Sequence, residues 1–106
     1  MAWIMLFAAG LLEVVWAFTM KQSDGFTRIV PSVITLVAMV ASVVLLSFSM
    51  RTLPLGTAYT IWTGIGAVGA FIVGAVFLQE HVSLWRVLAA GLIIAGIVLM
   101  RLAPGQ

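Results

Sequence analysis

The chain has no cysteine, only three prolines and a single histidine, and charged side chains make up 8% of its 106 residues. Without cysteine there is neither a disulfide framework nor a thiolate metal site. The one histidine, His81, has a single acidic neighbour, Glu80, and such a pair is no metal site. The five basic residues, Lys21, Arg28, Arg51, Arg86 and Arg101, are spread singly. A nucleic-acid face needs them clustered, so no nucleic acid is expected as a partner. Nothing in the sequence calls for a cofactor, and no nucleophile–base pair supports an enzyme. A soluble domain carries about 25% charged residues, so this chain has too little polar surface to face water. Disorder requires low hydrophobicity with high charge, the reverse of what is found.

What is present is apolar: 64% of the residues are hydrophobic. The charges punctuate four stretches, Ala2–Met20 (broken by Glu13), Ile29–Met50, Thr52–Gln79 and Val87–Met100. A helix rising about 1.5 Å per residue needs about 20 residues to cross ~30 Å of hydrocarbon. The first three stretches reach that length. The fourth is shorter, but Arg86 and Arg101 flank it, and long basic side chains extend a span by snorkelling to the headgroups. The amino terminus lacks the basic region of a signal peptide and reads as a retained first helix. The expected fold is an all-α integral membrane bundle of four transmembrane helices in one domain, 1–106, with helices at about 2–21, 29–50, 54–78 and 84–102. Turn chemistry fills the short connections, with Asp24-Gly25 in the first, Pro54 and Gly56 in the second and Ser83 as N-cap after the third. Connections this short make neighbouring helices antiparallel.

Orientation is nearly undetermined by charge. Arg51 and Arg101 fall on one side of the membrane, and Lys21, Arg28 and Arg86 on the other. The positive-inside rule needs a clear excess on one side. Insertion in both orientations, or a modest bias with the three-residue side cytoplasmic, are both open on this count.

Glu13 is the one carboxylate within a span, roughly half way down the first helix. An acidic residue there costs about 2.5–3.5 kcal/mol on insertion scales. No Lys, Arg or His lies at comparable depth to pair with it. Burial disfavours its charged form, whereas an external cation favours it. A site that takes either a proton or a cation is the minimal apparatus for proton-coupled cation exchange. The alternative is a protonated structural glutamate bonded between helices.

Trp16 stands at i+3 from Glu13, with Gly10 at i−3, on the same face, and an indole can face a cation through its π cloud. The second helix carries Thr35, Ala38, Ser42 and Ser49 at helical spacing, a stripe suited to close packing in membranes. Ser42, near mid-span, is within range of the Glu13 carboxylate. The third helix places Tyr59, Trp62 and Gly66 along one face, and Trp62 lies too deep for an interfacial belt. Trp3 and Trp85 fit such a belt. Gly64, Gly66 and Gly69 thin the third helix for packing or a hinge. Gly91 and Gly96 form a notch suited to association between chains. The arginines read as interfacial anchors, and Asp24, Glu80 and His81 as solvated loop groups.

These residues resemble the small multidrug resistance transporters over essentially the whole chain. The resemblance rests on Leu11-Leu12-Glu13-Val14-Val15-Trp16-Ala17, on Lys21 at that helix's end, on Leu53-Pro54-Leu55-Gly56-Thr57-Ala58-Tyr59 and on Trp62-Thr63-Gly64-Ile65-Gly66. Trp16 and the Trp62–Gly66 run look like the guanidinium-exporter subtype, since the multidrug subtype typically has a small residue at the position of Trp16. The resemblance implies an antiparallel, dual-topology homodimer in the bacterial inner membrane, exchanging guanidinium for protons. It also implies that Glu13 binds substrate and proton, that Trp16 and Trp62 line the site, that Ser42 and Tyr59 bond to the glutamate, and that Gly91–Val98 packs against its twin. The departures, Glu80-His81 and the tail from Leu102 to Gln106, are peripheral. A broader exporter of quaternary ammonium ions and a non-transporting membrane subunit are the competing readings; the second leaves Glu13 unexplained.

Overall fold

A computed structural model describes residues 1–103; the last three residues of the tail, Pro104–Gln106, lie outside the described residues. Four α-helices follow one another, α1 (Ala2–Gln22), α2 (Ile29–Ser49), α3 (Leu55–Phe77) and α4 (Leu84–Leu102). Each is long and apolar enough to cross a membrane. Pro54 is extended at ψ 150° and precedes α3, so that helix begins one residue later than position 54. Lacking an N–H, Pro54 loses nothing there, and its carbonyl accepts from the Ala58 N–H at 3.0 Å. At α4 the Ser83 hydroxyl accepts from the Arg86 N–H at 3.2 Å, capping the helix as its position predicts.

The first connection is built on Ser23, which is fully buried. Its hydroxyl donates to the Met20 carbonyl at 2.6 Å and accepts from the Phe26 N–H at 3.0 Å. Asp24, Gly25 and Phe26 all take left-handed conformations, with φ of 51°, 72° and 67°. Such a conformation costs a non-glycine residue about 1–2 kcal/mol, and the bonds from Ser23 hold it.

The interior mixes apolar and hydroxyl-bearing side chains: Leu6, Ile61, Thr35, Ser42 and Ser49 are fully buried, whereas Ile4, Leu11, Val33, Leu36, Leu92 and Leu99 are exposed. Lipid tails are as apolar as leucine, so large aliphatic groups gain little by turning inward, and small or hydroxyl-bearing residues share the helix contacts with the core cluster around Leu6 and Ile61. α1 is central and packs against both α2 and α3, while α4 packs against α3. α4 contains no buried residue. At one membrane face the Arg101 guanidinium lies 4.3 Å from the ring of Trp3, tying the end of α4 to the start of α1.

The glycines of α3 mark its close approaches. A methyl group at Gly64 would stand 2.9 Å from Ile97 Cδ1 on α4, and one at Gly69 would overlap Val14 on α1. In return, a methyl at Gly10 of α1 would stand 2.6 Å from Ile65 Cγ2 of α3. These are packing positions.

Candidate functional site

α1 carries Glu13 to the middle of the bundle, where its carboxylate lies directly over Gly66 of α3. A methyl group at position 66 would overlap the carboxylate and stand 2.8 Å from Glu13 Cγ. Gly66 is therefore the floor on which the side chain rests, and any larger residue would push the acid away. The Glu13 Oε1 atom is enclosed and has no hydrogen-bond partner. Trp16, one turn along the same helix, presents a second enclosed orphan, its Nε1 donor. A buried polar atom without a partner costs about 1–3 kcal/mol, so an acceptor and a donor stand ready for an external group.

The other predicted site residues form a second group beside the first. Ser42 of α2 is fully buried. Its hydroxyl donates to the Ala9 carbonyl of α1 at 2.7 Å and accepts from Trp62 Nε1 of α3 at 3.0 Å. Trp62 in turn packs at 5.6 Å, centroid to centroid, against Tyr59, which is half exposed. Within the single chain, then, the Ser42 hydroxyl holds α1 and Trp62 rather than the Glu13 carboxylate. Its one proton goes to a helical carbonyl one turn before Glu13, and its lone pair orients the indole.

Sequence reasoning missed the Ala9 carbonyl, because backbone groups carry no sequence signal. It also missed that Gly66 seats the acid. The i+3 and i+4 spacing of Tyr59, Trp62 and Gly66 put these residues along one face, but not against a named partner.

Losing the Ser42 hydroxyl leaves the half-buried Trp62 N–H without its partner. We expect Ser42→Ala to destabilise the folded protein by about 1–3 kcal/mol and to loosen Trp62. Thermal unfolding in detergent and a red-shifted tryptophan emission check this; an unchanged transition means the indole finds another acceptor.

Tyr59 opens onto a groove of about 570 Å³ between α3 and α4, walled by Thr63, Gly64, Ile93, Gly96 and Ile97. Gly91 and Gly96 have nothing within 4 Å of the position a Cβ would take, so their notch is unfilled within one chain. No group of three or more metal-ligating side chains exists among the described residues.

Four apolar spans around one enclosed carboxylate define a multi-pass helical membrane protein with an acidic centre. Residues 1–93 match the family profile described as Small Multidrug Resistance protein. The chain belongs to the small multidrug resistance family. A protein of Yersinia pseudotuberculosis (strain IP32953) named guanidinium exporter is 61% identical over 103 residues, covering 97% of this chain and 99% of its own. Relatives of the same name from Citrobacter freundii and Salmonella typhimurium (strain LT2) are 57% and 58% identical over 97% of this chain and 98% of theirs.

Proposed function

We propose that the protein exports guanidinium and small substituted guanidinium ions across the bacterial inner membrane in exchange for protons, with Glu13 holding each cargo in turn. The enclosed, unpartnered Glu13 oxygen carries this reading. A proton satisfies it in one half of the cycle, and an N–H edge of guanidinium in the other. Guanidinium is planar and its paired donors match a carboxylate edge-on, as an arginine head group does. Trp16 and Trp62 supply flat walls, Ser42 fixes the second of them, and Tyr59 packs against Trp62. The names of the relatives support guanidinium as the cargo.

Four helices do not by themselves enclose a site with two gated pathways. Transporters usually obtain two states of opposite exposure from inverted repeats. A second copy inserted in the opposite sense supplies the same symmetry from one sequence. The near-even split of basic residues supports this dual topology. The uncovered α4 face with Gly91 and Gly96, and the open α3–α4 groove, support a homodimer that closes there.

Guanidinium added to detergent-purified protein in weak buffer should release protons. Trp16→Gly should weaken guanidinium and admit tetrapropylammonium, which has no N–H donor and in the parent forfeits charge-assisted bonds worth about 1.5–3 kcal/mol each. Competition by tetrapropylammonium in both proteins is the measurement. Equal inhibition removes Trp16 as the size filter, and absence of proton release removes the exchange itself. A parent that favours tetrapropylammonium would point to the broader quaternary ammonium exporter.

A further inference from the structure

About one turn beyond Trp16, two hydroxyls join α1 to α2. Thr35 of α2 is fully buried, and its Oγ1 lies 2.7 Å from Thr19 Oγ1 of α1. The Thr19 hydroxyl also turns back to the carbonyls of Val15 and Trp16, at 3.1 and 3.3 Å. That of Thr35 turns to the Pro31 carbonyl at 2.7 Å. Each hydroxyl has one proton to give. One proton bridges the two oxygens. The other goes to Val15 and Trp16 when Thr35 is the bridging donor, or to Pro31 when Thr19 is. Both hydroxyls are satisfied either way, and the turn that carries Trp16 is tied to α2.

This tie has a counterpart on the other side of the acid. Ser42, seven residues after Thr35 and on the same face of α2, donates to the Ala9 carbonyl of α1 at 2.7 Å. The two ties bracket Glu13 along α1. α3 holds the same stretch from a different direction, with Ile65 against Gly10, Glu13 on Gly66 and Val14 on Gly69. At about 100° per residue, Thr19 stands about 120° around α1 from Glu13 and about 60° from Trp16. Membrane helices lack a hydrophobic drive to associate, so close packing and hydroxyl bridges set how they face one another. The threonine pair therefore fixes the roll of α1 from the α2 side, beside the indole whose Nε1 has no partner.

We propose that Thr19 and Thr35 are a positioning pair for selectivity: they hold the roll of α1, and with it the Trp16 indole, at the setting that confines the site to a flat cation. The pair deepens the transport reading above and rests on it. Neither hydroxyl touches the cargo; both act through the indole. Without the bridge α1 is held from the α3 side and by Ser42 alone, the indole loses its fixed place, and the discrimination between flat and bulky cations falls.

Guanidinium binding by calorimetry, and its competition with tetrapropylammonium, test this on the purified protein. Thr19→Val keeps the side chain's shape and leaves Thr35 its Pro31 acceptor, so the fold survives. It should weaken guanidinium about three- to tenfold and tetrapropylammonium far less, narrowing the ratio of the two affinities. Thr35→Val should do the same, and the double variant should add little. Thr19→Ser keeps the hydroxyl and should restore the ratio of the parent. In a Trp16→Gly background Thr19→Val should leave the ratio unmoved, because the indole it positions is gone. Where the parent binds guanidinium, an unchanged ratio in Thr19→Val overturns the pair alone, even if the unfolding temperature falls, since a purely structural bridge lowers only that temperature. An equal change of ratio with Trp16 present or absent overturns it too. A parent that binds no guanidinium overturns the transport reading and the pair together.

Discussion

Glu13→Gln should abolish both guanidinium binding and guanidinium-driven proton release while the protein still folds and pairs. The substitution keeps the side chain's size, so its seat on Gly66 and the contacts of α1 survive. What it removes is the charge. Truncating one partner of an enclosed, hydrogen-bonded charge pair costs about 2–5 kcal/mol, a loss of roughly thirty- to several-thousand-fold in affinity. An amide also cannot take up and release a proton in the working pH range, so the exchange loses its second cargo. Glu13→Asp keeps the charge but withdraws it by one methylene, and should retain part of the exchange. Binding by calorimetry and flux in liposomes check both variants. Ordinary guanidinium-driven proton movement through Glu13→Gln would place the site elsewhere.

A comparably large effect should follow from unbalancing the charges. Two or three lysines added to the connection between Arg51 and Gly56 should commit nearly all chains to one orientation. Antiparallel pairs are limited by the scarcer orientation, so cutting it to about a tenth leaves only about a fifth of the chains paired. Transport should fall in proportion and return when an oppositely biased variant is coexpressed. A tag on the carboxyl terminus of the parent should be accessible from both faces of the membrane. Labelling from one face only, or full transport by the biased protein alone, would exclude the dual-topology pair.

The helices and their connections were legible in the sequence because charges and turn residues interrupt long apolar runs. Glu13 was legible because an acid at that depth has no bland company. The direction each helix faces was not. In a soluble bundle an apolar stripe points inward, but here lipid and protein interior are equally apolar, and a helix greasy all round gives no such arrow. Ser42 shows the consequence. Its depth put it near Glu13, yet its partners are Ala9, 33 residues away, and Trp62, set by the register of three helices. Glu80 shows another. Its place in a polar connection reads as solvated and it is exposed, but only the left-handed turn at Gln79 shows that it also folds back over Gly74.

The arrangement of the four helices has a mechanical consequence. Among the described residues α4 packs mainly on α3, with Arg101 reaching Trp3 and Met100 reaching the core cluster. Gly64 takes the thrust of Ile97 from α4, and Gly66, two residues on, bears the acid of α1. Two residues turn a helix by about 200°, so these bearings lie on nearly opposite sides of one rod. The outer helix and the acidic centre are thus connected in series, with α3 as the shaft between them.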